Sequence, residues 1–416
     1  MTTPFARRSP DAAPEPARLK VAIIHDWLTG RRGGEKVLQS ICRLYPGADV
    51  FTLFHMPARI GDLVAGHRVT ASWLNRLPGA ARFYRFLLPL MPAAIESFDL
   101  RGYGLVISSS HAVAKGAAIP AGIPHVCYCH TPMRYLWDVA GDYFAVGRFP
   151  RLRKAMLAAW KNHLRAWDLR SNARITRFVA NSENVRRRIR QLYGRGSAVI
   201  HPPVDVDFFT PAPAQPAGDY FLIVSALEPY KRVELAIRVL DRLKKRLVVV
   251  GHGSQAGALR RLAGPRVEFA GWVSDESLRE LYRSCRAVLF PGIEDFGIVP
   301  VEAQACGKPV LAYACGGALE TVLPGRTGLL FAEQTEESLQ AAVRGLDDFP
   351  FDANAARTNS LRFSRPRFES AFLGFMTNFL AASDNGGRVE DTVAGAGMAS
   401  GGSHEPALSN EQPGSN

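Results

Sequence analysis

Short apolar runs recur along the chain with the spacing of parallel β-strands separated by helices. Six of them lie in the first half, at residues 20–27, 49–54, 103–110, 124–130, 177–182 and 198–204. Five more lie in the second half, at residues 220–227, 245–251, 266–272, 286–292 and 309–313. Because the runs are continuously apolar, we expect helices on both faces of each sheet. The pattern predicts an α/β protein with two doubly wound parallel sheets.

A proline-rich joint at residues 201–219 separates the two sets of strands. Its prolines and small residues are typical of a linker, so we place an N-terminal domain at 19–203 and a C-terminal domain at 204–364. A chain of 416 residues also fits two hydrophobic cores better than one. In doubly wound sheets ligands bind beyond the carboxyl ends of the strands. The turns that follow the strands are therefore the places to search for chemistry.

The end of the chain predicts one more helix and a tail. Apolar side chains lie there close to helical spacing, at Phe368, Phe372, Phe375, Phe379 and Leu380. We expect a closing helix at 365–382 that packs back on the N-terminal domain. Residues 1–18 are rich in Pro, Ala and Arg, and residues 383–416 in Gly, Ser and Asn. Both segments have the composition of disordered tails.

Positive charge is concentrated in the first half of the chain. Residues 1–200 carry 30 Lys and Arg against 12 Asp and Glu, whereas the remaining residues have a net charge of −5. This surplus indicates an anionic partner. Segments 82–92 and 148–170 interleave basic with aromatic and aliphatic residues, which fits either an anionic membrane surface or solvated helix faces with apolar backs. No nucleic-acid-binding module is recognisable, so nucleic acid is not an expected partner.

Cysteine usage favours a cytoplasmic protein. The six cysteines lie mostly in apolar segments and lack the spacing of a zinc site, which is typical of buried, reduced thiols. The N-terminal segment lacks the apolar stretch of a secretory signal, and no run of about 18 apolar residues occurs. We expect a cytoplasmic chain that is either soluble or peripheral to the inner face of the cytoplasmic membrane.

The first strand leads into a glycine pair at the start of a predicted helix. In HDWLTGRRGGEKVL (25–38), Gly33 and Gly34 leave backbone N–H groups open to an oxyanion at the positive end of the helix dipole. Glycine pairs are common in turns, so this feature is weak by itself. The pattern is not G-x-G-x-x-G, and the second strand ends without the acid that binds an NAD ribose. A dinucleotide-binding dehydrogenase is therefore disfavoured.

A basic pair follows the first strand of the second half. In EPYKRVELAIRVL (228–240), Lys231 and Arg232 lie near a helix N-terminus, where cations oppose the helix dipole. A bound anion would account for this placement, and a solvated basic pair is the alternative.

The segment PGIEDFGIVPVEAQACGKPVLA (291–312) places carboxylates on both sides of a predicted helix start. Pro300 suits the first turn of a helix. The backbone amides of the preceding DFGIV (295–299) should point from the helix N-terminus towards a diphosphate. Glu302, in the first helical turn, is placed for a ribose diol, and Glu294 for hydroxyls at the other end of the donor. For either glutamate alone, a capping or surface role is the alternative.

This segment matches the E-x7-E signature of retaining glycosyltransferases of family 4, which have the GT-B fold. GGALETVLPGRTGLLF (316–331) continues the match, and the resemblance covers roughly residues 20–380. In the first half, HDWLTGRRGGEKVL, SSSHAVAKG (108–116) and CYCHTPMRYLWD (127–138) are similar to a bacterial branch that includes O-antigen mannosyltransferases. The resemblance implies two Rossmann-like domains that face each other across a cleft.

The resemblance also implies roles for individual residues. Gly33 and Gly34 would face the donor phosphate, and Lys231 would neutralise the diphosphate. Glu294 would orient the sugar and Glu302 would bind the ribose. Further donor contacts would come from Arg232, Val273, Phe296, Gly297, Ile298 and Val299. The catalytic set would be Glu294, Lys231 and His130, which resembles the histidine that contacts the transferred sugar, although a structural role is common for such a histidine.

One position departs from the family pattern. In SALEPYK (225–231), Ala226 stands where the family usually has Arg. Either Arg232 compensates, or the donor and its leaving diphosphate are bound less well. One charge-assisted contact to phosphate is worth about 1.5 to 3 kcal/mol.

The resemblance implies a retaining hexosyltransferase, most readily a mannosyltransferase, with GDP-mannose as the favoured donor. Its acceptor would be a growing glycan, linked to a lipid diphosphate, in O-antigen or other polysaccharide synthesis. No metal is expected to be required, because the D-x-D sequence at Asp205–Asp207 lies in the linker. Two alternatives are an epimerase of the same fold, which needs acid and base residues in the cleft, and a non-catalytic scaffold, for which Ala226 is the only sequence support.

Overall fold

The computed structural model describes residues 19–137, 150–212 and 218–384. The predicted tail 1–18, nearly all of the tail 383–416 and the first two residues of the basic segment 148–170 lie outside the described residues. All structural statements below concern the described part of the chain.

The N-terminal sheet has seven parallel strands. Their bounds are β1 Val21–His25, β2 Asp49–Thr52, β3 Val69–Ala71, β4 Leu105–Ser110, β5 His125–Cys129, β6 Arg177–Ala180 and β7 Ser197–Val199. The strand order is β3-β2-β1-β4-β5-β6-β7. Ile23 of β1 lies opposite Val50 on one side and Ile107 on the other.

The C-terminal sheet has six parallel strands. Their bounds are β8 Tyr220–Val224, β9 Arg246–Val250, β10 Val267–Gly271, β11 Ala287–Phe290, β12 Val310–Tyr313 and β13 Gly328–Phe331. The strand order is β10-β9-β8-β11-β12-β13. The prediction of two doubly wound parallel sheets is therefore confirmed.

Helices cover both faces of each sheet. With the N-terminal sheet lie α1 Gly33–Leu44, α2 Pro57–Ile60, α3 Ala80–Phe83, α4 Met91–Glu96, α5 Arg134–Trp137, α6 Pro150–Ser171 and α7 Glu183–Tyr193. The later helices are α8 Val233–Arg242, α9 Ala256–Leu262, α10 Asp275–Ser284, α11 Ile298–Ala305, α12 Ala318–Thr321, α13 Glu336–Gly345, α14 Ala353–Leu361 and α15 Arg365–Asp384. Short 3₁₀ turns occupy 73–76, 84–90, 114–116, 172–174 and 229–231.

The apolar strands form cores on both of their faces. Along β1, Ile23 is buried in a core with α1, whereas Ile24 is buried in a second core with α4 on the opposite face. Successive side chains of a strand point to opposite faces, so a strand buried on both sides must be apolar throughout. All six cysteines are unpaired, and five of them are buried.

The last helix crosses back to the first domain. Phe368, Phe372, Met376 and Phe379 of α15 are buried in the same core as Ile23. An isolated bridge between Val204 and Ser364 brings the two inter-domain segments together just before α15 begins. The chain therefore passes twice between the domains, and its last helix is part of the N-terminal core.

Candidate active site

The strand order reverses between β1 and β4 in the first sheet and between β8 and β11 in the second. The loops that follow these strands lie at the cleft between the sheets. A Cβ atom built on Gly33, the first residue of α1, would lie 2.5 Å from the Cδ1 atom of Ile298, the first residue of α11. The N-termini of two helices from different domains thus converge on one space, where both dipoles favour an anion.

The first backbone amides of α11 have no side-chain cap. Gly297 precedes the helix with a φ of 91°, a left-handed conformation that suits glycine, and no side chain caps the helix. The first N–H groups of a helix have no partner within it. Phe296 is buried, and Ile298 and Val299 pack against the same apolar cluster. The predicted amides therefore lie together at one helix end.

Lys231 and Glu294 form an ion pair beside this helix end. Lys231 lies in the 3₁₀ turn after β8, and Glu294 lies in the loop after β11. Gly292 allows the contact, because a Cβ atom there would lie 2.8 Å from the Cα atom of Lys231. The structure brings two of the three predicted catalytic residues into direct contact.

Glu302 lies one turn further along α11 than predicted. It is the fifth residue of α11, in the second turn and not the first, and only 5% of it is exposed. Lys36 donates to its Oε1 at 3.0 Å and the Tyr282 hydroxyl to its Oε2 at 3.0 Å. The Glu302 carboxylate raises the pKa of Lys36. A ribose diol would therefore have to replace one of these partners or share the carboxylate with it.

His130 and Gly34 meet on the N-terminal side of the cleft. A Cβ atom on Gly34 would lie 3.7 Å from the His130 ring and 3.8 Å from the His25 ring. The Ser109 hydroxyl hydrogen-bonds Nε2 of His130 at 2.8 Å and Nδ1 of His25 at 3.1 Å. Burial lowers the pKa of His25 to about 4 and that of His130 well below its ordinary value. Both rings are neutral at neutral pH.

An aspartate and a third histidine, which sequence reasoning missed, adjoin this pair. The Asp26 carboxylate follows β1 and is fully buried. It accepts the N–H groups of four successive residues after β4, at His111, Ala112, Val113 and Ala114. Nδ1 of His111 lies 3.1 Å from Asp26 Oδ2. Polar residues placed directly after two apolar strands were the available signal, because adjacent parallel strands bring such residues together.

The loop that carries Glu294 is fastened to the N-terminal domain through Asp295. Arg134 of α5 donates to the Asp295 carboxylate at 2.9 and 2.6 Å. The Ser182 hydroxyl donates to the Asp295 carbonyl at 2.6 Å, and the Asn184 side chain donates to its carboxylate at 3.2 Å. Nothing in the sequence pattern indicated these contacts, since their partners are more than 100 residues apart.

Two family profiles match the chain, one over each half. The profile for Glycosyltransferase Family 4 matches residues 31–208, and the profile for Glycosyl transferases group 1 matches residues 209–350. The two matches meet at the linker and together include both sides of the cleft.

The chain has the GT-B fold, and each of its halves matches a glycosyltransferase profile.

Curated relatives match part of the length of this chain. The D-inositol 3-phosphate glycosyltransferase of Mycobacteroides abscessus is 36% identical over 166 residues, which are 35% of this chain and 38% of that protein. The enzyme of the same name from Kineococcus radiotolerans is 32% identical over 227 residues, 45% of this chain and 52% of that protein. The chain thus spans about half or less of these relatives. They do not confirm the mannosyltransferase branch, which stays a prediction.

Solved structures share the GT-B fold over most of the chain. HepE of Anabaena, crystallised with UDP and glucose, superposes with a TM-score of 0.65 at 19% identity, over 86% of this chain and all of that one. Sucrose-phosphate synthase of Thermosynechococcus elongatus gives a TM-score of 0.62 at 19% identity, over 88% and 100%. The predicted GT-B fold is confirmed.

The remaining predicted donor contacts lie at the edge of this GT-B site. Arg232 precedes α8 in a left-handed conformation, and its side chain, 43% exposed, pairs with Glu234 at 3.1 Å. Val273 lies between β10 and α10 and packs against the apolar cluster that contains Phe296. Ala226 supplies no charge after β8. Arg232 therefore does not stand in for the missing family arginine in this structure, because its guanidinium pairs with Glu234 in the first turn of α8.

Neither a metal cluster nor a membrane span is found in the described ranges. No group of three or more His, Cys, Asp or Glu side chains there is arranged to hold a metal ion. No helix among the same residues is both long enough and apolar enough to cross a bilayer.

Proposed function

We propose that this protein is a retaining glycosyltransferase that moves a hexosyl group from a nucleoside diphosphate sugar to a hydroxyl of a glycan. The observation that carries the proposal is the meeting of the α1 and α11 N-termini beside the Lys231–Glu294 pair. Such a site attracts a ligand that is anionic in its middle and rich in hydroxyls at its ends. A nucleoside diphosphate sugar has this chemistry.

We propose a part in the transfer for each group of this site. On donor binding, Lys231 exchanges its Glu294 partner for the diphosphate, and the freed carboxylate accepts hydroxyls of the sugar. The α1 and α11 amides and Lys231 then stabilise the charge that grows on the leaving diphosphate, which is preorganised electrostatic catalysis. The acceptor hydroxyl attacks from the same face, and the configuration is retained. His130 lies beside Gly34 and contacts the transferred sugar as a neutral ring.

GDP-mannose is the donor that we propose, from the resemblance of the N-terminal motifs. A panel of GDP- and UDP-sugars tests it, and UDP-glucose belongs in the panel because HepE was crystallised with UDP and glucose. Tight binding of GDP with no preference for UDP supports mannose transfer. A preference for UDP in calorimetry contradicts it without affecting the glycosyltransferase proposal.

Release of nucleoside diphosphate tests the activity itself. We expect the wild-type protein to release it slowly from one donor in water and Glu294→Ala to lose this release. Glu268→Ala, which removes an exposed carboxylate from the edge strand β10, is the matched control and should keep it. An epimerised sugar nucleotide in place of free sugar would identify an epimerase. Absence of any reaction or binding across the panel would identify a non-catalytic scaffold.

We propose a lipid-linked glycan acceptor at the inner face of the cytoplasmic membrane. Large apolar side chains are exposed along one segment of the N-terminal domain, at Trp73, Leu77, Phe83, Phe86 and Leu90. The segment belongs to the half of the chain that carries the positive charge. Exposed aromatic groups next to cationic surface are the features of a protein that lies on an anionic bilayer.

A further inference from the structure

His111 stands at the reversal point of the N-terminal sheet, on the cleft wall opposite the donor-binding helix. Its ring lies with its centroid 6.2 Å from that of His130 and 6.2 Å from that of His25. The edge of Trp27 packs against it at 4.5 Å. His111 is 27% exposed, whereas His25 is fully buried. Of the three neighbouring imidazoles, His111 and His130 are partly exposed, whereas His25 is not.

Asp26 determines which nitrogen of the His111 ring carries the hydrogen. The carboxylate is held by four backbone N–H groups, and these hydrogen bonds keep it ionised and immobile. Nδ1 of His111 lies 3.1 Å from this ionised acceptor, which favours a hydrogen on Nδ1. In the neutral ring the lone pair is therefore on Nε2. Nε2 has no hydrogen-bond partner within the described residues.

We propose that His111 is a catalytic base of the transfer, with Nε2 receiving the proton of the attacking hydroxyl and Asp26 acting as its positioning residue. The inference rests on the proposed function. As the acceptor O–H bond breaks, its oxygen forms the bond to the anomeric carbon. The bond from that carbon to the phosphate oxygen breaks, and its electron pair leaves with the diphosphate. The proton remains on Nε2 and then passes to solvent.

His25 and His130 are less suited to act as the catalytic base. The hydroxyl of Ser109 engages Nε2 of His130 and Nδ1 of His25, and no carboxylate is hydrogen-bonded to either ring among the described residues. Both rings are buried enough that their pKa values fall below the ordinary range, which weakens them as bases. His111 combines an orienting carboxylate, a free nitrogen and access to the cleft, which are the geometric requirements of a general base.

The groups around His111 determine in which direction the activity should change with pH. The charged or titratable groups that face it are His25, Asp26, Arg32, Glu35 and His130. Burial opposes protonation of the ring, but the Asp26 carboxylate and its hydrogen bond raise the pKa of His111 above its ordinary value of 6.5. The base form therefore accumulates only above that value. Activity should fall as the pH drops through a point higher than 6.5.

Nitrogen NMR of the full-length protein labelled in histidine tests the tautomer without any substrate. The resonances are assigned to His111 by their loss in His111→Gln. We expect a deprotonated Nε2 and a protonated Nδ1 in the neutral ring. A proton on Nε2 would overturn the inference, because that nitrogen could not then receive one.

Kinetics with the active sugar nucleotide, with water and added methanol as probe acceptors, test the chemistry. We expect His111→Gln to slow nucleoside diphosphate release by about 100-fold or more, to bind the donor as the wild type does, and to lose the acid limb of the pH profile. Exogenous imidazole should restore part of the rate to His111→Ala. His163→Gln, an exposed histidine of α6, is the control and should match the wild type.

The outcomes separate the two proposals. If the wild type cleaves a donor and His111→Gln keeps its rate within threefold, the base is another group and only this inference fails. Loss of donor binding together with activity, without imidazole rescue, would indicate a structural role and would also overturn it. If the wild type cleaves no donor in the panel, the proposed function fails and the inference fails with it.

Discussion

Two lysines from different domains occupy the carboxylates that a donor would use. Lys231 pairs with Glu294 within the C-terminal domain, and Lys36 reaches Glu302 from α1. The sequence predicted Lys231 and both glutamates as site residues, but it did not predict which charges pair. It did not indicate Lys36, because a lysine in an amphipathic helix is ordinarily a solvated residue. Pairing in the unliganded protein keeps these partly buried charges compensated until a ligand replaces one partner.

Gly317 controls the position of the loop that carries Glu294. A Cβ atom on Gly317 would lie 2.2 Å from the carbonyl oxygen of Phe296 and 2.3 Å from its Cα atom. Both atoms belong to the backbone and cannot rotate away. We predict that Gly317→Ala destabilises the protein by about 1 to 3 kcal/mol, the range for overpacking, and weakens donor binding. Urea denaturation and calorimetry with the donor measure the two effects.

Gly47→Ala is the matched control for this substitution. A Cβ atom on Gly47 would have no atom within 4 Å, so the stability should change by less than about 0.5 kcal/mol. If Gly317→Ala unfolds at the same urea concentration as Gly47→Ala, then Gly317 does not pack against the backbone of Phe296 as described.

At the scale of elements, the strands with continuous apolar runs were the easiest to predict. Eleven of the thirteen were indicated by the sequence, and the two that were missed, β3 and β13, form outer edges of the sheets. Edge strands are short and half-buried, so their hydrophobic pattern is weaker. The single turn of α5 was also missed, although its Arg134 connects the domains. Four residues are too few to show helical periodicity.

Substitutions in α15 test how strongly the end of the chain stabilises the N-terminal core. Phe372 is fully buried between α15 and the N-terminal sheet, and the adjacent Leu373 is 48% exposed. We predict that Phe372→Ala lowers the free energy of unfolding by about 3 to 5 kcal/mol, because it removes a buried ring and leaves a cavity. Chemical denaturation followed by circular dichroism gives the value.

Leu373→Ala provides the comparison within the same helix. It removes a side chain of similar character that faces solvent, so its effect should stay within about 0.5 kcal/mol. Equal effects of the two substitutions would show that α15 is not part of the N-terminal core.

At the scale of the whole molecule, the domains are held by polar contacts from loops. Glu320 of α12 accepts the backbone N–H groups of Glu183 and Asn184, at the N-terminus of α7, at 2.8 and 2.9 Å. His201 lies 3.2 Å from the same carboxylate. A carboxylate of one domain thus caps a helix of the other. Such contacts arise only when the chain is folded.

The Glu320 contact predicts a pH-dependent stability. Burial alone would raise the pKa of Glu320, but His201 and the two N–H groups hold it below its ordinary value of 4.5. Its stabilising effect is therefore present above pH 4.5 and disappears as the pH falls through the folded-state pKa. We predict that Glu320→Gln costs about 1.5 to 3 kcal/mol near neutral pH and that the difference from the wild type shrinks in acid. Urea denaturation at several pH values measures it.

The control for this prediction is Glu280→Gln. Glu280 is about half exposed and pairs with Arg283 at 2.9 Å on the surface of α10, where an ion pair contributes little. A constant difference between Glu320→Gln and the wild type at every pH would contradict the assignment of Glu320 as the titrating group.

Vesicle binding tests the proposed membrane surface. We expect the protein to sediment with anionic vesicles and not with neutral ones, and high salt to reduce the binding. Phe86 is 78% exposed, so Phe86→Ser should weaken binding by about 10-fold or more, as expected for removing an apolar ring of about 1.5 to 3 kcal/mol. Leu361→Ser, an exposed apolar residue of the C-terminal domain, should have no effect. Equal loss in both variants would place the membrane contact elsewhere.

The sequence by itself determined the two parallel sheets, the linker between them, the glycines at the helix N-termini and the fold. These depend on local information: continuous apolar runs, prolines and glycines at fixed positions, and one motif within 22 residues. Only the tertiary structure decided which charges pair across the cleft, as Lys36 does with Glu302 and Arg134 with Asp295. It alone also placed His111 against Asp26. Contacts between residues far apart in the chain depend on how strands are ordered and domains are packed, which no spacing within a single sequence encodes.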